Sequence, residues 1–269
     1  MLITVNVENF RIYVGFFASD SNALVAKFQV AADPRKTADE YSSLFCSIMR
    51  EKQIPIGDCC DAILSSVVPQ LTETIKEAIF SVTGKDPVMV GPGLKTGFSL
   101  RIDTPSEVGG DLVADVAAAL YEMRAENKMQ PAVIWHLGRV STVCAINRSG
   151  DFIGCAIVPG MGMSMEMLHG QTAQLPSVGA TKIGKSIGKN SQDAVLSGVI
   201  CGHALMLDGF LERFSREMKC SPEELACFAT GDEVKYLEGI CKTNFLYREN
   251  MTLNGLRILF ENSKKESVK

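Results

Sequence analysis

The stretch "VNVENFRIYVGFF", residues 5–17, decides the fold, because two short apolar runs flank a polar interruption. Val5 and Val7 precede the interruption and Ile12 follows it, with apolar side chains at alternate positions. This period of two is typical of β-strands. We therefore predict a strand, a tight turn and a second strand, which "ALVAKFQVA" (23–31) extends to an antiparallel meander of three strands.

The same order of elements recurs later in the chain. Residues 131–160, "PAVIWHLGRVSTVCAINRSGDFIGCAIVPG", read as strand, turn, strand, turn, strand. Aligning the first turn of each meander sets Asn6 against His136. Between the meanders, predicted helices alternate with predicted strands, and the first helix carries a capping-box pattern at Thr37 and Glu40. Such alternation indicates sheets joined by crossover helices.

Two copies of this organisation predict the domain arrangement. We expect a duplicated α/β fold with one domain at residues 1–115, a second at 116–269, and a cleft between them. A long helix at about 191–218 and a closing helix, "MTLNGLRILFEN" (251–262), belong to the second copy.

The composition limits the classes of function. Of 269 residues, 46% are hydrophobic and the net charge is −4, so we expect a packed core and no nucleic-acid partner. The nine cysteines are odd in number and lack a C-x-x-C pair, which argues against a zinc ribbon or a disulfide framework. We expect a soluble cytoplasmic protein with reduced thiols, no signal peptide and no membrane span. The vicinal pair Cys59 and Cys60 is either a redox site or two small residues at a strand entrance.

Six longer stretches carry a family resemblance. They are "TADEY" (37–41), "ILSSVVPQLT" (63–72), "VGPGLKTGFSLRIDTPSEVGGD" (90–111), "GDFIGCAIVPGMGMSMEMLHGQTAQLPSV" (150–178), "IGKNSQDAVLSG" (187–198) and "MTLNGLRILFEN" (251–262). In this order they resemble the type III pantothenate kinases, of the acetate and sugar kinase, Hsp70 and actin superfamily. The resemblance covers nearly the whole chain and implies a duplicated actin-like, ribonuclease H-like fold.

The resemblance also implies an activity and a set of sites. The family phosphorylates pantothenate with ATP in coenzyme A synthesis, as dimers whose pantothenate pocket lies near the subunit interface. Its first turn, D-x-G-N-T, holds the ATP phosphates, and its second, D-F-G-T-A-T-T, supplies a monovalent-cation ligand and a nucleotide contact. The Asp of G-A-D-R acts as general base, and T-G-G packs the adenosine. These residue types suit phosphoryl transfer, which depends on positioning and charge neutralisation.

This chain departs from the family at the first turn. Asn6 replaces the acidic residue, and a neutral amide is a weaker ligand for Mg²⁺ than a carboxylate. Glu8 replaces the Gly and brings a negative charge to the place of the phosphates, while Phe10 replaces the Thr and removes a hydroxyl donor. Asn9 alone matches the family pattern.

The second turn and the adenosine stretch also depart. His136 occupies the cation-ligand position, so we expect no metal ligand and no monovalent cation there. Arg139 replaces the nucleotide-contacting Thr, and Asp232 replaces the second Gly of T-G-G. Two roles for Arg139 are open: it could bind a phosphate directly, or it could pair with Glu8 and close the nucleotide site.

The substrate region is only partly altered. Asp111 stands at the position of the base, although an Asp in a first helical turn is also favoured by the helix dipole alone. Two roles are likewise open for Glu107, as a functional carboxylate or as a capping residue. The positions that the resemblance assigns to substrate binding are Ile102 (for a Tyr), Gly109, Gly110, Asp111, Leu112 (for the Arg of G-A-D-R) and Ser191 (for a Thr).

These departures lead to three hypotheses. The first is a catalytically impaired paralogue that acts as a binding or regulatory subunit, in a homodimer or with an active relative. The second is an active ATP- and Mg²⁺-dependent kinase with unusual nucleotide contacts, and the third is a sensor of a pantothenate-like small molecule. A methionine-rich segment, residues 161–167, is expected to line a core or a dimer interface, which we predict around residues 109–125 and 159–178.

Overall fold

The computed structural model describes residues 1–264, and the chain divides into two compact units. Within the described residues, unit 1 comprises 1–98, 103–122 and 250–264. Unit 2 comprises Ser99–Ile102 and Met123–Glu249. Each unit has its own five-stranded sheet.

The sheet of unit 1 has the strand order β3-β2-β1-β4-β5. Strands β1, β2 and β3 form the predicted antiparallel meander, and β4 and β5 join it in parallel. The bounds are β1 Leu2–Val7, β2 Arg11–Phe17, β3 Leu24–Ala31, β4 Asp61–Ser66 and β5 Val88–Met89. The helices are α1 Ala38–Glu51, α2 Pro69–Thr83, α3 Gly110–Ala125, which runs past the unit boundary at Glu122, and α6 Met251–Lys264.

Local signals begin and end these helices as the sequence indicates. Thr37 and Glu40 form both hydrogen bonds of the predicted capping box at the start of α1. Pro69 occupies the first turn of α2, where its missing N–H costs nothing. Gly84 ends α2 with φ +71°, a left-handed conformation that a residue with a Cβ adopts less readily.

The two faces of β1 pack against different helices. Ile3, Val5 and Val7 point into the core that α1 and α2 cover, whereas Leu2 lies in the core formed with α3 and α6. The apolar face of α6 belongs to that second core, so α6 is part of unit 1. The observed division therefore differs from the single boundary predicted between residues 115 and 116, because burial of α6 returns the end of the described chain to the first sheet.

The sheet of unit 2 has the order β10-β9-β6-β7-β8, which is the unit 1 order read from the other edge. Strands β6, β7 and β8 form the second meander, and β9 and β10 follow in parallel, so the predicted duplication is confirmed. The bounds are β6 Ala132–Leu137, β7 Val140–Ile146, β8 Phe152–Pro159, β9 Ala226–Thr230 and β10 Leu246–Tyr247. Asn6 and His136 are both the next-to-last residue of equivalent strands, in agreement with the alignment of the turns.

Helices α4 (Met161–Gly170) and α5 (Ser191–Glu217) cover one face of this second sheet. Between β9 and β10 the chain forms a 3₁₀ turn at Val234–Tyr236 and no α-helix. Within residues 1–264, α5 alone is long and apolar enough to cross a membrane by length and composition. Half of its most apolar window is buried in the protein, as in a core helix.

Candidate functional site

The first turn is shorter than the sequence suggests. Asn6 is a buried residue of β1 rather than part of the turn, and only residues 8–10 connect β1 to β2. The Asn6 Nδ2 atom donates a hydrogen bond to Glu8 Oε1 at 3.0 Å, and the Glu8 N–H donates to the Arg11 carbonyl at 2.8 Å. These bonds hold the Glu8 side chain back against its own turn. Asn9 and Phe10 are exposed.

A second buried polar residue lies beside Asn6. Ser65 is its register partner on the parallel strand β4, and both residues are at most 1% exposed. Asn6 Oδ1 and Ser65 Oγ are buried atoms without a hydrogen-bond partner among the described residues. Buried polar atoms are normally satisfied by protein, water or ligand, so this pair marks a candidate polar site. Ser65 is not among the residues predicted from the sequence, although the polar pair that ends the apolar strand "AILSS" was a usable signal.

The start of helix α3 approaches these two side chains closely. A Cβ atom added to Gly110 would lie 2.7 Å from Ser65 Oγ, so only glycine allows this approach. A Cβ atom on Gly109 would lie 2.3 Å from Asp111 Oδ1, which shows that the Asp111 carboxylate folds over the preceding glycine. We call Asn6, Ser65, Gly109, Gly110 and Asp111 the polar cluster. Four of the five were predicted as site residues, and tertiary contacts bring them together.

Asp111 is partly buried in the first turn of a 16-residue helix, where its negative charge is favoured by the helix dipole. Its Oδ1 atom accepts a hydrogen bond from the Leu112 N–H at 2.8 Å. Leu112, at the position of a family arginine, is 8% exposed and contributes to the apolar interior instead. Glu107 lies exposed in a 3₁₀ turn before α3.

The second turn belongs to unit 2 and is built around Arg139. Its guanidinium makes a bidentate ion pair with Glu166 of α4, with Nη1–Oε1 at 2.7 Å and Nη2–Oε2 at 2.5 Å. The Arg139 hydrogen bonds lower the pKa of the Glu166 carboxyl, and the Glu166 hydrogen bonds raise the pKa of Arg139. Pairing of Arg139 with Glu8, which would join the two units, stays a prediction. His136 is buried in β6, in register with Thr142 on β7 and Thr230 on β9.

A third carboxylate occupies the N-terminus of α4. Glu233 accepts hydrogen bonds from the N–H groups of Met161 (2.7 Å) and Gly162 (2.9 Å). Helix N-termini of this kind are ready anion sites, and here the anion is a side chain of the protein itself. Neither Glu166 nor Glu233 was singled out from the sequence. The sequence offered one signal for Glu233. It is the second of two acidic residues that follow "ATG" here, where the family has the glycine of T-G-G.

Two glycines bring the surrounding backbone close enough for this arrangement. A Cβ atom on Gly160 would lie 1.7 Å from the Gly138 carbonyl oxygen, and one on Gly231 would lie 2.2 Å from the Leu137 carbonyl oxygen. Gly231 also has φ +101°, in the region that favours glycine. The backbone of the second turn is therefore tightly packed against the strand ends.

The remaining predicted residues lie in unit 2. Ile102 is half-buried on the short segment Ser99–Ile102, and Ser191 is the first residue of α5, preceded by the N-cap Asn190. Asp232 lies between Gly231 and the capping Glu233. Among residues 1–264, no group of three or more His, Cys, Asp or Glu side chains could hold a metal ion.

The donor groups of the second turn suit a polyphosphate poorly. The Arg139 guanidinium and the first N–H groups of α4 already bind carboxylates. At the first turn, the acidic Glu8 stands where the resemblance expects phosphate. A phosphate group at this turn of unit 2 would have to displace these two carboxylates, and each displacement costs a charge-assisted hydrogen bond.

Comparisons with known proteins extend over the whole chain. A family model described as "Type III pantothenate kinase" matches residues 2–213. The type III pantothenate kinase of Citrifermentans bemidjiense is 33% identical over 264 residues, which cover 98% of this chain and 100% of the relative.

Solved structures share the fold at low sequence identity. A Campylobacter jejuni protein described as a Baf family transcriptional activator superposes with a TM-score of 0.58 at 15% identity, over 97% of this chain and 98% of that protein. The inorganic polyphosphate/ATP-glucomannokinase of Arthrobacter sp. strain KM superposes with a TM-score of 0.50 at 14% identity, over 97% of each chain. These likenesses agree with the predicted two-domain α/β fold.

Proposed function

Because this chain belongs to the type III pantothenate kinase family, we propose that it is a catalytically impaired member that binds a pantothenate-like molecule and acts as a dimeric binding or regulatory subunit in coenzyme A metabolism. The observation that carries the impairment is the occupation of the anion-binding groups of unit 2 by internal carboxylates. Glu166 holds Arg139, and Glu233 caps α4.

The first turn adds to the barrier against a nucleotide. The family places ATP phosphates there, and Glu8 is fastened at this turn by Asn6. A carboxylate about 4 Å from a phosphate charge is repelled by roughly 4 kcal/mol at a near-surface effective dielectric. Asn6 also offers Mg²⁺ an amide oxygen instead of a carboxylate, which weakens the metal's hold on the phosphates.

The polar cluster supports retention of a small-molecule ligand. Asn6 Oδ1 can accept a hydrogen bond, and Ser65 Oγ can donate or accept one, so together they suit a hydroxyl group. Asp111 lies at the same helix start and could accept the proton of such a hydroxyl, which is the role that the family assigns to this position. These hydrogen-bonding groups support the proposed small-molecule ligand, whereas the carboxylates at the two turns argue against a nucleotide.

Calorimetry and a kinase assay on the purified chain test the proposal. We expect saturable binding of pantothenate or a close analogue, Mg-ATP affinity weaker than ~1 mM because of the Glu8 charge, and no measurable phosphorylation. The type III pantothenate kinase of Citrifermentans bemidjiense, assayed in parallel, controls for the reagents. Robust turnover by this chain would contradict the proposal, and absence of pantothenate binding would contradict the retained ligand site.

An active kinase with unusual contacts is the second candidate. It is favoured by Asp111, which stands at the base position and belongs to the polar cluster. Such an enzyme would need Arg139 to leave Glu166 and bind phosphate directly. Turnover that is independent of K⁺, and that is lost in Arg139→Gln, would identify it.

The proposed dimer uses the outer part of α4. Met161 and Met165 are at most 2% exposed and belong to the unit 2 core, whereas Met167 is 53% exposed. The methionine-rich segment is thus divided between the core and the surface. We propose that Met167 on α4 and Tyr121 on α3, which is 52% exposed, lie in the subunit interface.

A further inference from the structure

We propose that Cys144 and Cys155 form a reversible cross-strand disulfide, which makes the β7–β8 hairpin a site of thiol–disulfide modification. The two residues lie directly opposite each other on antiparallel strands, in the register Cys144↔Cys155. Opposite residues of an antiparallel pair project to the same face of the sheet. Neither cysteine is in a disulfide in this structure.

The hydrogen-bond pattern of the hairpin determines how close the two side chains are. The Gly160 N–H donates to the Arg139 carbonyl at 2.8 Å, so these two residues form a hydrogen-bonded pair. Hydrogen-bonded and non-hydrogen-bonded pairs alternate along an antiparallel ladder. Cys144 and Cys155 lie five residues further along the ladder. The register is continuous up to them, because the register shift of this hairpin comes only after Ala145. An odd number of steps changes the type of pair. The cysteines therefore form a non-hydrogen-bonded pair.

Non-hydrogen-bonded pairs bring side chains closest together. Their Cα atoms lie about 4.5 Å apart, and disulfides bridge Cα atoms separated by about 4.4–6.8 Å. A pair of this type therefore falls within the range that a disulfide can bridge. Such a bond can form without rearrangement of the strands.

The two thiols differ in accessibility in a way that suits exchange chemistry. Cys155 is exposed on the edge strand β8, whereas Cys144 is 1% exposed. All nine cysteines lie within residues 1–264, and only Cys155 and Cys60 are exposed. Cys155 can therefore meet a soluble disulfide, and Cys144 can resolve the product from inside the protein.

The reaction is a two-electron exchange with a low-molecular-weight disulfide such as oxidised glutathione. The Cys155 thiolate attacks one sulfur of the reagent, which forms a mixed disulfide and releases one thiol. The Cys144 thiolate then attacks the Cys155 sulfur, which forms the protein disulfide and releases the second thiol. The protein loses two protons and two electrons, and the reagent gains them as two thiols.

Mass spectrometry of the full chain tests this proposal. The reduced protein is treated with oxidised glutathione, denatured, alkylated and digested. We expect a cross-linked peptide pair that contains Cys144 and Cys155, with a loss of about 2 Da relative to the two thiols, and we expect dithiothreitol to reverse it. In Cys144→Ser, Cys155 should instead keep one glutathionyl group.

Two further variants keep the result interpretable. Cys155→Ser changes an exposed residue, so it should fold normally and lose the cross-link. Cys60→Ser removes the other exposed cysteine and should leave the cross-link unchanged. Wild-type protein in which Cys155 stays glutathionylated, or in which Cys144 and Cys155 are both alkylated after oxidation, would overturn the proposal.

Discussion

At the scale of single residues, the carboxylates decide what the second turn can bind. Arg139 is the residue best suited to hold a phosphate, because a guanidinium binds oxyanions in a bidentate manner. Glu166 already binds both terminal nitrogens of this guanidinium, each through one of its carboxylate oxygens. The Glu166 carboxylate thus occupies the place on Arg139 where an external anion would bind.

Removal of the Glu166 charge should make Arg139 available. We expect Glu166→Gln to bind ADP or inorganic phosphate roughly tenfold more tightly than the wild type, since one charge-assisted hydrogen bond is worth about that much in affinity. Isothermal titration measures it. Glu212→Gln is the matched control, because Glu212 pairs with Arg216 on the exposed side of α5. Equal affinities in all three proteins would show that Arg139 does not meet the anion.

The same ion pair should leave a signature in the pH dependence of stability. Arg139 lowers the pKa of Glu166 from its ordinary value of 4.5, so the folded protein holds this carboxylate ionised more strongly than the unfolded chain. The resulting stabilisation is complete above about pH 6 and is lost as the pH falls through the lowered pKa. The difference in Tm between wild type and Glu166→Gln should shrink over that range. A difference that stays constant to pH 3 would contradict the contribution of the pair.

At the scale of secondary-structure elements, close backbone contacts hold the polar cluster in position. Helices α6 and α3 meet at Gly255, where an added Cβ atom would lie 1.8 Å from the Ala114 carbonyl oxygen. The same region of α3 carries Asp115, which accepts a hydrogen bond from Thr252 Oγ1 of α6 at 2.7 Å. The placement of Asp111 at the start of α3 therefore depends on the packing of α6.

Substitution of Gly255 should separate these helices. We expect Gly255→Ala to reduce the free energy of unfolding by about 1–3 kcal/mol, the usual cost of overpacking, and to weaken ligand binding at Asp111. Gly209→Ala on α5 is the control, since nothing lies within 4 Å of its added Cβ. It should be neutral or stabilising by up to about 1 kcal/mol. Urea titration compares the two, and an equal effect of both variants would refute the close contact.

At the scale of the whole molecule, the property to be tested is the oligomeric state. A stable dimer would bury more than about 1,000 Å² in total. We expect Met167→Glu to convert a wild-type dimer into monomers, because it places a charge on an exposed apolar position of α4. Glu8→Gln should leave the dimer intact. Sedimentation velocity measures both variants.

The choice of methionine matters for this experiment. Met165 lies in the unit 2 core, so a charge there would unfold the protein and would not report on the interface. Circular dichroism of Met167→Glu should match the wild type. A monomeric wild type, or a Met167→Glu variant that stays dimeric, would rule out this interface.

The amino-acid sequence alone determined the elements, their order and the family. Alternating apolar residues in "VNVENFRIYVGFF" predict the first hairpin, and their recurrence in residues 131–160 predicts the duplication that the two sheets confirm. Periodicity is a reliable signal because it records which face of each element is buried. The family resemblance, in turn, placed Asn6, Gly110 and Asp111 among the candidate site residues through their motifs.

The tertiary structure alone decided which side chains meet. The partners Arg139 and Glu166 are 27 residues apart in sequence, and Glu233 is 72 residues from the N–H of Met161 that it caps. Periodicity contains no information on such pairs, because a charged residue on an exposed face has the same pattern whether it meets solvent or a distant partner. The pairing of Ser65 with Asn6 and the return of α6 to unit 1 follow from strand register and core packing, which exist only after the chain has folded.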